Sequence, residues 1–282
     1  MTTDIYYFSG TGNSLYIARE LQKMIPKTNL IPIVKLLDKD IVNTSAEKVG
    51  FVFPLHLMTL PIPVKKFIKK LDLSSTKYIF AIATRIGTIY MADIHIKKIL
   101  KKKRKALDSF FVINMGNNSP CGVMPKFMPG FKKNVNNWLN EITEDKIKKI
   151  ESIVNERLLM IKDIIINNEK YHEKESYMYY SWRNIIASLL KPAETNSNKV
   201  LIDCYSDPEC TGCGICKEVC PSGKIKMIDN KPEWQKDVSC FLCYACFNFC
   251  PVQSVLIKDK YTIKEGRYIH PGITAKDIAG QK

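Results

Sequence analysis

A chain of 282 residues that is 45% apolar and 25% charged has room for one large domain or two ordinary ones and is too apolar to be a disordered polymer. No apolar run approaches the roughly 18 residues of a bilayer-crossing helix. Met1-Thr2-Thr3-Asp4 opens no basic-then-apolar leader, so a cytoplasmic protein is expected. The net charge of +15 is uneven: residues 1–198 hold 31 Lys/Arg against 18 Asp/Glu, whereas residues 199–260 hold 8 of each, which favours an acidic partner, nucleic acid or an anionic membrane surface for the first part.

In chain order, Ile5-Tyr6-Tyr7-Phe8 reads as a strand that runs into Ser9-Gly10-Thr11-Gly12-Asn13-Ser14, and a helix follows to about Met24. Apolar runs around Leu30–Leu37 and at Val49–Phe53 read as strands, the latter stopping at Pro54. Residues 61–71 read as a helix, with Val64, Phe67, Ile68 and Leu71 on one face. Tyr78–Ala83 is a fourth strand, 90–105 a basic helix and Phe110–Asn114 a fifth strand. Short apolar strands alternating with amphipathic helices predict a doubly wound parallel α/β sheet of five strands, covered on both faces.

Residues 116–131, rich in Gly and Pro and carrying Cys121, read as a long loop with the composition of a lid. Ile147, Ile150, Val154, Leu158, Ile161 and Ile165 then step by three and four along a long helix. Residues 177–190 read as an aromatic-rich helix whose Tyr177-Met178-Tyr179-Tyr180-Trp182 stripe packs between domains. Pro192–Asn198 reads as the linker. The expected division is 1–170 for the sheet domain, 171–198 for the connector, 199–260 for a small α+β domain and 261–282 for a tail.

Eight of the ten cysteines form a repeat. Cys210-x2-Cys213-x2-Cys216-x3-Cys220-Pro221 recurs 30 residues later as Cys240-x2-Cys243-x2-Cys246-x3-Cys250-Pro251. In a chain without an export signal such a set points to metal, not disulfides. Structural zinc would use paired C-x2-C arms, without a third close cysteine or the trailing Pro. The pattern is that of the bacterial-type two-cluster ferredoxins, whose fourth cysteine serves the other cluster. That resemblance implies two [4Fe-4S] clusters. Cys210, Cys213, Cys216 and Cys250 would hold cluster one, and Cys240, Cys243, Cys246 and Cys220 cluster two. Small residues flank the first set (Thr211, Gly212, Gly214) and aromatic ones the second (Phe241, Tyr244, Phe247, Phe249), so cluster one is expected at the higher potential.

The Ser9-x-Thr11-Gly12-x-Ser14 loop is an anion nest at a helix start. It lacks the Lys of a Walker loop and the third glycine of a dinucleotide fingerprint. Two more loops end strands on the same side: Pro54-Leu55-His56-Leu57-Met58 and Thr84-Arg85-Ile86-Gly87-Thr88. Here the chain resembles flavodoxin. The resemblance implies that Ser9, Gly10, Thr11, Gly12, Asn13 and Ser14 bind the phosphate of FMN, while Pro54, Leu55, His56, Leu57, Met58, Thr84, Arg85, Ile86, Gly87 and Thr88 flank its ring. With the cysteine repeat and the tail Gly266-Arg267-Tyr268-Ile269-His270-Pro271, the whole chain resembles the EFR-type flavodoxin–ferredoxin fusion family of anaerobes. That implies an electron-transfer iron–sulfur flavoprotein; the alternative is an FMN-dependent reductase of a quinone, nitro compound or activated alkene, refilled by the clusters. No acid–base pair marks a substrate pocket. The ring loops lack the Trp, Tyr and acids of many flavodoxins and offer Arg85, so the FMN is expected to be less reducing.

For the remaining residues, bland readings stand beside sharp ones. The bases at Lys97, Lys98 and 101–105 either dock an acidic redox protein or solvate a helix face; nothing in them resembles a nucleic-acid motif. His56 is a proton donor to the ring or a bonded loop residue. His95 and His172 read as surface residues, His270 as a packing residue, Cys121 as a spare loop cysteine and Cys204 as a structural one.

Overall fold

The structure, a computed structural model, describes residues 1–56, 58–86, 90–119, 129–173, 203–258 and 264–282. Its N-terminal part is built on strands β1 (Thr3–Tyr7), β2 (Thr28–Pro32), β4 (Lys48–Pro54), β6 (Tyr78–Arg85), β7 (Ser109–Asn114) and β8 (Tyr171–His172). They form one parallel sheet in the order β2-β1-β4-β6-β7-β8. Successive side chains of a strand face opposite sides. Nearly every residue of β1, β4 and β6 is buried, so both faces of the sheet are covered.

Helices α1 (Asn13–Met24) and α5 (Glu144–Asn167) pack together, as do α2 (Ile62–Lys70) and α3 (Ala92–Lys102). A two-stranded parallel pair, β3 (Val42–Asn43) and β5 (Leu71–Asp72), adds to this half. The Lys48 ammonium is buried at the end of α5, donating to the Ile165 and Ile166 carbonyls at 2.7 Å each, where a cation offsets unpaired carbonyls.

Two sequence-based expectations need correcting. The sheet has six strands, not five. The sixth, β8, is only two residues long, too short to show an alternation. Ser109 holds it: its Oγ accepts the Tyr171 N–H and donates to the Glu169 carbonyl. The region around Leu30–Leu37 is also split, the strand ending at Pro32 and a 3₁₀ turn running from Ile33 to Leu36.

A helix that the sequence pattern did not reveal, α4 (Phe131–Glu141), follows the loop. Its apolar side chains Phe131, Val135 and Trp138 pack with Cys216, Cys220, Phe247 and Cys250, so α4 belongs to the core of the C-terminal region. That region has an antiparallel pair, β9 (Cys204–Ser206) with β12 (Val255–Ile257), and a hairpin of β10 (Ile225–Ile228) and β11 (Lys231–Trp234). The hairpin turns at Asp229-Asn230, both at positive φ, as a tight two-residue turn requires. One-turn helices α6 (Ile215–Glu218) and α7 (Ala245–Asn248) start at equivalent places in the two cysteine repeats. The last helix, α8 (Ala275–Ala279), carries a Thr274–Asp277 capping box. The inter-domain stripe, the linker, Cys121 and most of the proposed lid lie outside the described residues.

Candidate electron-transfer site

The nest lies at the end of β1, between strands β2 and β4 of the sheet order, where the direction of winding reverses and α/β folds bind ligands. Every residue from Ser9 to Ser14 is buried. The hydroxyls are already satisfied. Ser9 Oγ accepts the Gly12 N–H at 3.1 Å, Thr11 Oγ1 accepts from Asn118 at 2.8 Å, and Ser14 pairs with Thr84 at 2.9 Å. Among the described residues no hydrogen-bond acceptor meets the backbone N–H groups of Gly10, Thr11, Asn13 and Ser14. Buried N–H groups without acceptors are costly and rare. Four of them, flanking Gly12 at a helix start, fit an anionic group such as the phosphate of FMN.

The other two proposed loops are described in part; Leu57, Gly87 and Thr88 lie outside. Leu55 N–H donates to the Thr84 carbonyl, joining the loops at their bases. His56 and Thr59 form an isolated antiparallel bridge around Met58, which sits at positive φ. Arg85 does not stand free: its Nε donates to Asn114 Oδ1 at 3.1 Å and its guanidinium lies 5.1 Å from the Tyr90 ring centre, so Tyr90 is closer to this loop than sequence reasoning placed it. His56 is enclosed and its basicity falls to about 4, mainly through burial, opposed by a bond to the Phe241 backbone. Burial therefore favours the neutral ring near pH 7.

The thiols assigned to the second cluster gather in one place. Cys216 senses Cys246 first and then Cys213 and Cys250, and Cys243 senses Cys240, Cys220 and Cys246. Cys220, the fourth cysteine of the first repeat, thus sits with the first three of the second, and Cys250 lies near Cys213 and Cys216. A cavity among Cys220, Cys240, Cys243 and Cys246 is completed by Cys204, Pro221, Trp234 and Tyr244. Among the described residues no three His, Cys, Asp or Glu side chains converge tightly enough for one ion; this second set of thiols rings a space instead. Burial pushes Cys216 to about 12, Cys240 to about 11 and Cys243 well up. Thiolates here need a strongly positive centre, which iron of a cluster supplies. The Cys204 thiol stands within hydrogen-bonding reach of Cys246, which the sequence, placing Cys204 ahead of the first repeat, did not reveal.

The two halves meet at the nest. A Cβ on Gly10 would overlap the Cys243 carbonyl. The Phe241 ring lies edge-on to Phe8, centres 6.2 Å apart, and Phe8 in turn meets His56 at 5.9 Å. Asn118, Asn248, Tyr268 and Gln281 also reach this junction. Tyr268 lies in the tail segment that carries the resemblance; no local pattern distinguishes the other three in the sequence.

The basic run divides. Lys103 and Lys105 donate to the carbonyls of Leu71, Ser74 and Thr76 and so satisfy the chain in and just after β5. Lys97, Lys98, Lys101 and Lys102 are exposed, and Lys65 on α2 falls to about 8 through burial and the nearby Lys69 and Lys98. His95 is not a plain surface residue: it pairs with Thr59.

Two repeats of four free thiols, half of them buried, beside a parallel α/β sheet define a class, the iron–sulfur electron-transfer proteins. Within it, residues 209–255 match the family model of the 4Fe-4S dicluster domain, so the C-terminal region is a ferredoxin-type iron–sulfur domain. No curated protein matches the chain. Among the described residues no helix is long and apolar enough to cross a membrane.

Proposed function

We propose that the chain is an iron–sulfur flavoprotein that passes electrons between FMN and two [4Fe-4S] clusters, linking a low-potential donor to an acidic redox partner. The observation that carries this reading is the junction: the loop with four unanswered N–H groups is the loop on which Cys243 rests. FMN exchanges one or two electrons and each cluster one, so the combination interconverts the two currencies.

The chain's own residues supply position and environment. Gly10, Thr11, Asn13 and Ser14 would hold the phosphate through backbone N–H groups. The loops at 54–58 and 84–88 would flank the ring. Cys240, Cys243, Cys246 and Cys220 would hold cluster two, and Cys210, Cys213, Cys216 and Cys250 cluster one. Their surroundings suggest an order of transfer. Cys243 is buried against the nest, whereas Cys213 is exposed. Cluster two is then the flavin-side centre, and cluster one the outer centre that meets a partner. The exposed lysines of α3 form a second, basic surface for an acidic partner.

An anaerobic reductive titration of the reconstituted protein, read by absorption and EPR together, tests this. Stoichiometric flavin and two separately reducible clusters are expected. A protein that takes up both clusters yet no FMN overturns the flavin reading.

A further inference from the structure

The C-terminal tail is bound to the nest more closely than packing alone requires. Gln281 is fully buried, and its carboxamide takes both backbone groups of Ser9: the Ser9 N–H donates to Oε1 at 2.9 Å, and Nε2 donates to the Ser9 carbonyl at 2.9 Å, across 272 residues of sequence. The His270 N–H donates to the Thr11 carbonyl at 2.9 Å. Gly12, with φ at +108°, has room for no side chain: a Cβ would stand 2.8 Å from that of Ile273 and 2.9 Å from that of His270.

A closed ring of hydrogen bonds ties this tail to a helix of the iron–sulfur domain. Tyr268 Oη donates to Asn13 Oδ1 at 2.8 Å, and the Tyr268 N–H donates to Asn248 Oδ1 at 2.9 Å. Asn248 Nδ2 donates to the Asn118 carbonyl at 3.0 Å, and Asn118 Nδ2 donates to Thr11 Oγ1 at 2.8 Å. Asn248 ends α7, between Cys246 and Cys250. The ring therefore begins and ends on the anion loop and passes through the segment that joins the last two cysteines of the second repeat.

We infer that the tail is the outer wall of the anion nest, with Gln281 and Tyr268 as positioning residues that hold the loop's N–H groups on a phosphoryl group and Asn248 linking that hold to the folded iron–sulfur domain. This rests on the flavin reading for the identity of the ligand, but the wall itself does not. A phosphoryl group in the nest is enclosed, so it leaves when the tail or the domain lifts. Binding and docking then strengthen each other, as linkage requires.

The test uses full-length protein with both clusters loaded. Gln281→Ala, Tyr268→Phe and Asn248→Ala are compared with Lys276→Ala, a change at an exposed tail position. FMN release is followed by the return of its fluorescence, and riboflavin, which lacks the phosphate, is run beside it. Release of FMN is expected to quicken about tenfold in the first three variants, as for loss of a buried hydrogen bond. Riboflavin release, the iron content and the Lys276→Ala variant should stay unchanged. Equal quickening for riboflavin, or wild-type FMN release in all three, overturns the inference. If the wild-type protein takes up no FMN, the flavin reading falls and the wall is judged with inorganic phosphate. Slower amide exchange at residues 10–15 in phosphate, in wild type and not in Gln281→Ala, supports the wall. Equal or no protection in both overturns it.

Discussion

The two cysteine repeats have the same spacing and different fates. In the first, Gly212 and Gly214 take the left-handed conformations at φ of +72° and +75°, and Cys213 between them is exposed. In the second, the equivalent positions are Leu242 and Tyr244, at +58° and +55°, and Cys243 between them is buried against the nest loop. A left-handed conformation costs a residue with a side chain roughly 1–2 kcal/mol. The second repeat carries that cost twice, and Tyr244 lines the thiol cavity while Leu242 joins the apolar cluster behind it. Spacing sets which thiols meet; the residues between them set which centre faces the other domain.

Removing one thiol from each repeat should break this symmetry most visibly. Cys213→Ala is expected to lose about half of the iron, since one of the two cubes loses a ligand, and, on the proposed flavin reading, to leave bound FMN in place. Cys243→Ala is expected to lose cluster two and, because its loop carries the contact with Gly10 and Phe8, to loosen the flavin as well. Iron analysis with flavin fluorescence separates the two. Equal flavin loss in both variants would mean that the repeats are equivalent after all.

Backbone contact sharpens the same contrast. Gly10→Ala drives a Cβ into the Cys243 carbonyl, backbone that cannot swing aside, and is expected to cost about 3 kcal/mol, near the upper end for overpacking. Gly214→Ala meets nothing within 4 Å and bears only its left-handed conformation, about 1 kcal/mol. Thermal unfolding of the two loaded variants gives the order. In potential, the exposed first repeat is expected to be reduced before the apolar second one. EPR-monitored titration of the ligand variants assigns the two steps.

Much of the sheet domain was legible because its strands are continuous apolar runs and its helices are amphipathic over several turns; β1, β4, β6, β7 and α5 fall where those patterns place them. The helix α4 was not, because its three core residues follow a Gly/Pro-rich loop and its other positions are mostly Lys and Asn. The two-residue β8 carries no periodicity at all. At the site, the cysteines and the Ser9–Ser14 loop announce themselves by residue type and spacing. Asn118, Asn248 and Gln281 do not, because each acts through partners more than 100 residues away, and a single Asn or Gln has the same letter in a solvated loop.

The smallest effects concern how firmly the tail is held, and they depend on pH. His270 is buried, stacked on Tyr16 with ring centres 4.1 Å apart, and its basicity falls to about 4 through burial, with Glu20 opposing. Glu151 lies 3.4 Å from its Nε2. The folded value is below that of an unfolded histidine, near 6.5. The neutral ring therefore favours the docked tail fully above pH 6.5, and that contribution is lost as pH falls from 6.5 towards 4. Asp277 follows lower down. Bonds from Thr274 and then Arg19 hold it at about 2, so its contribution is present above about 3.8 and lost as pH falls towards 2. Between pH 7.5 and 5 only His270 titrates of these two, so amide protection at residues 268–281 should fall by at most about tenfold per pH unit below 6.5. His270→Gln should flatten that slope. Arg19→Ala, which removes a partly exposed partner of Asp277, should lower protection by less than about 1 kcal/mol at every pH in this range and leave the slope unchanged. A slope that survives His270→Gln would move the sensitivity to the cluster side of the junction, where His56 rests on the Phe241 backbone.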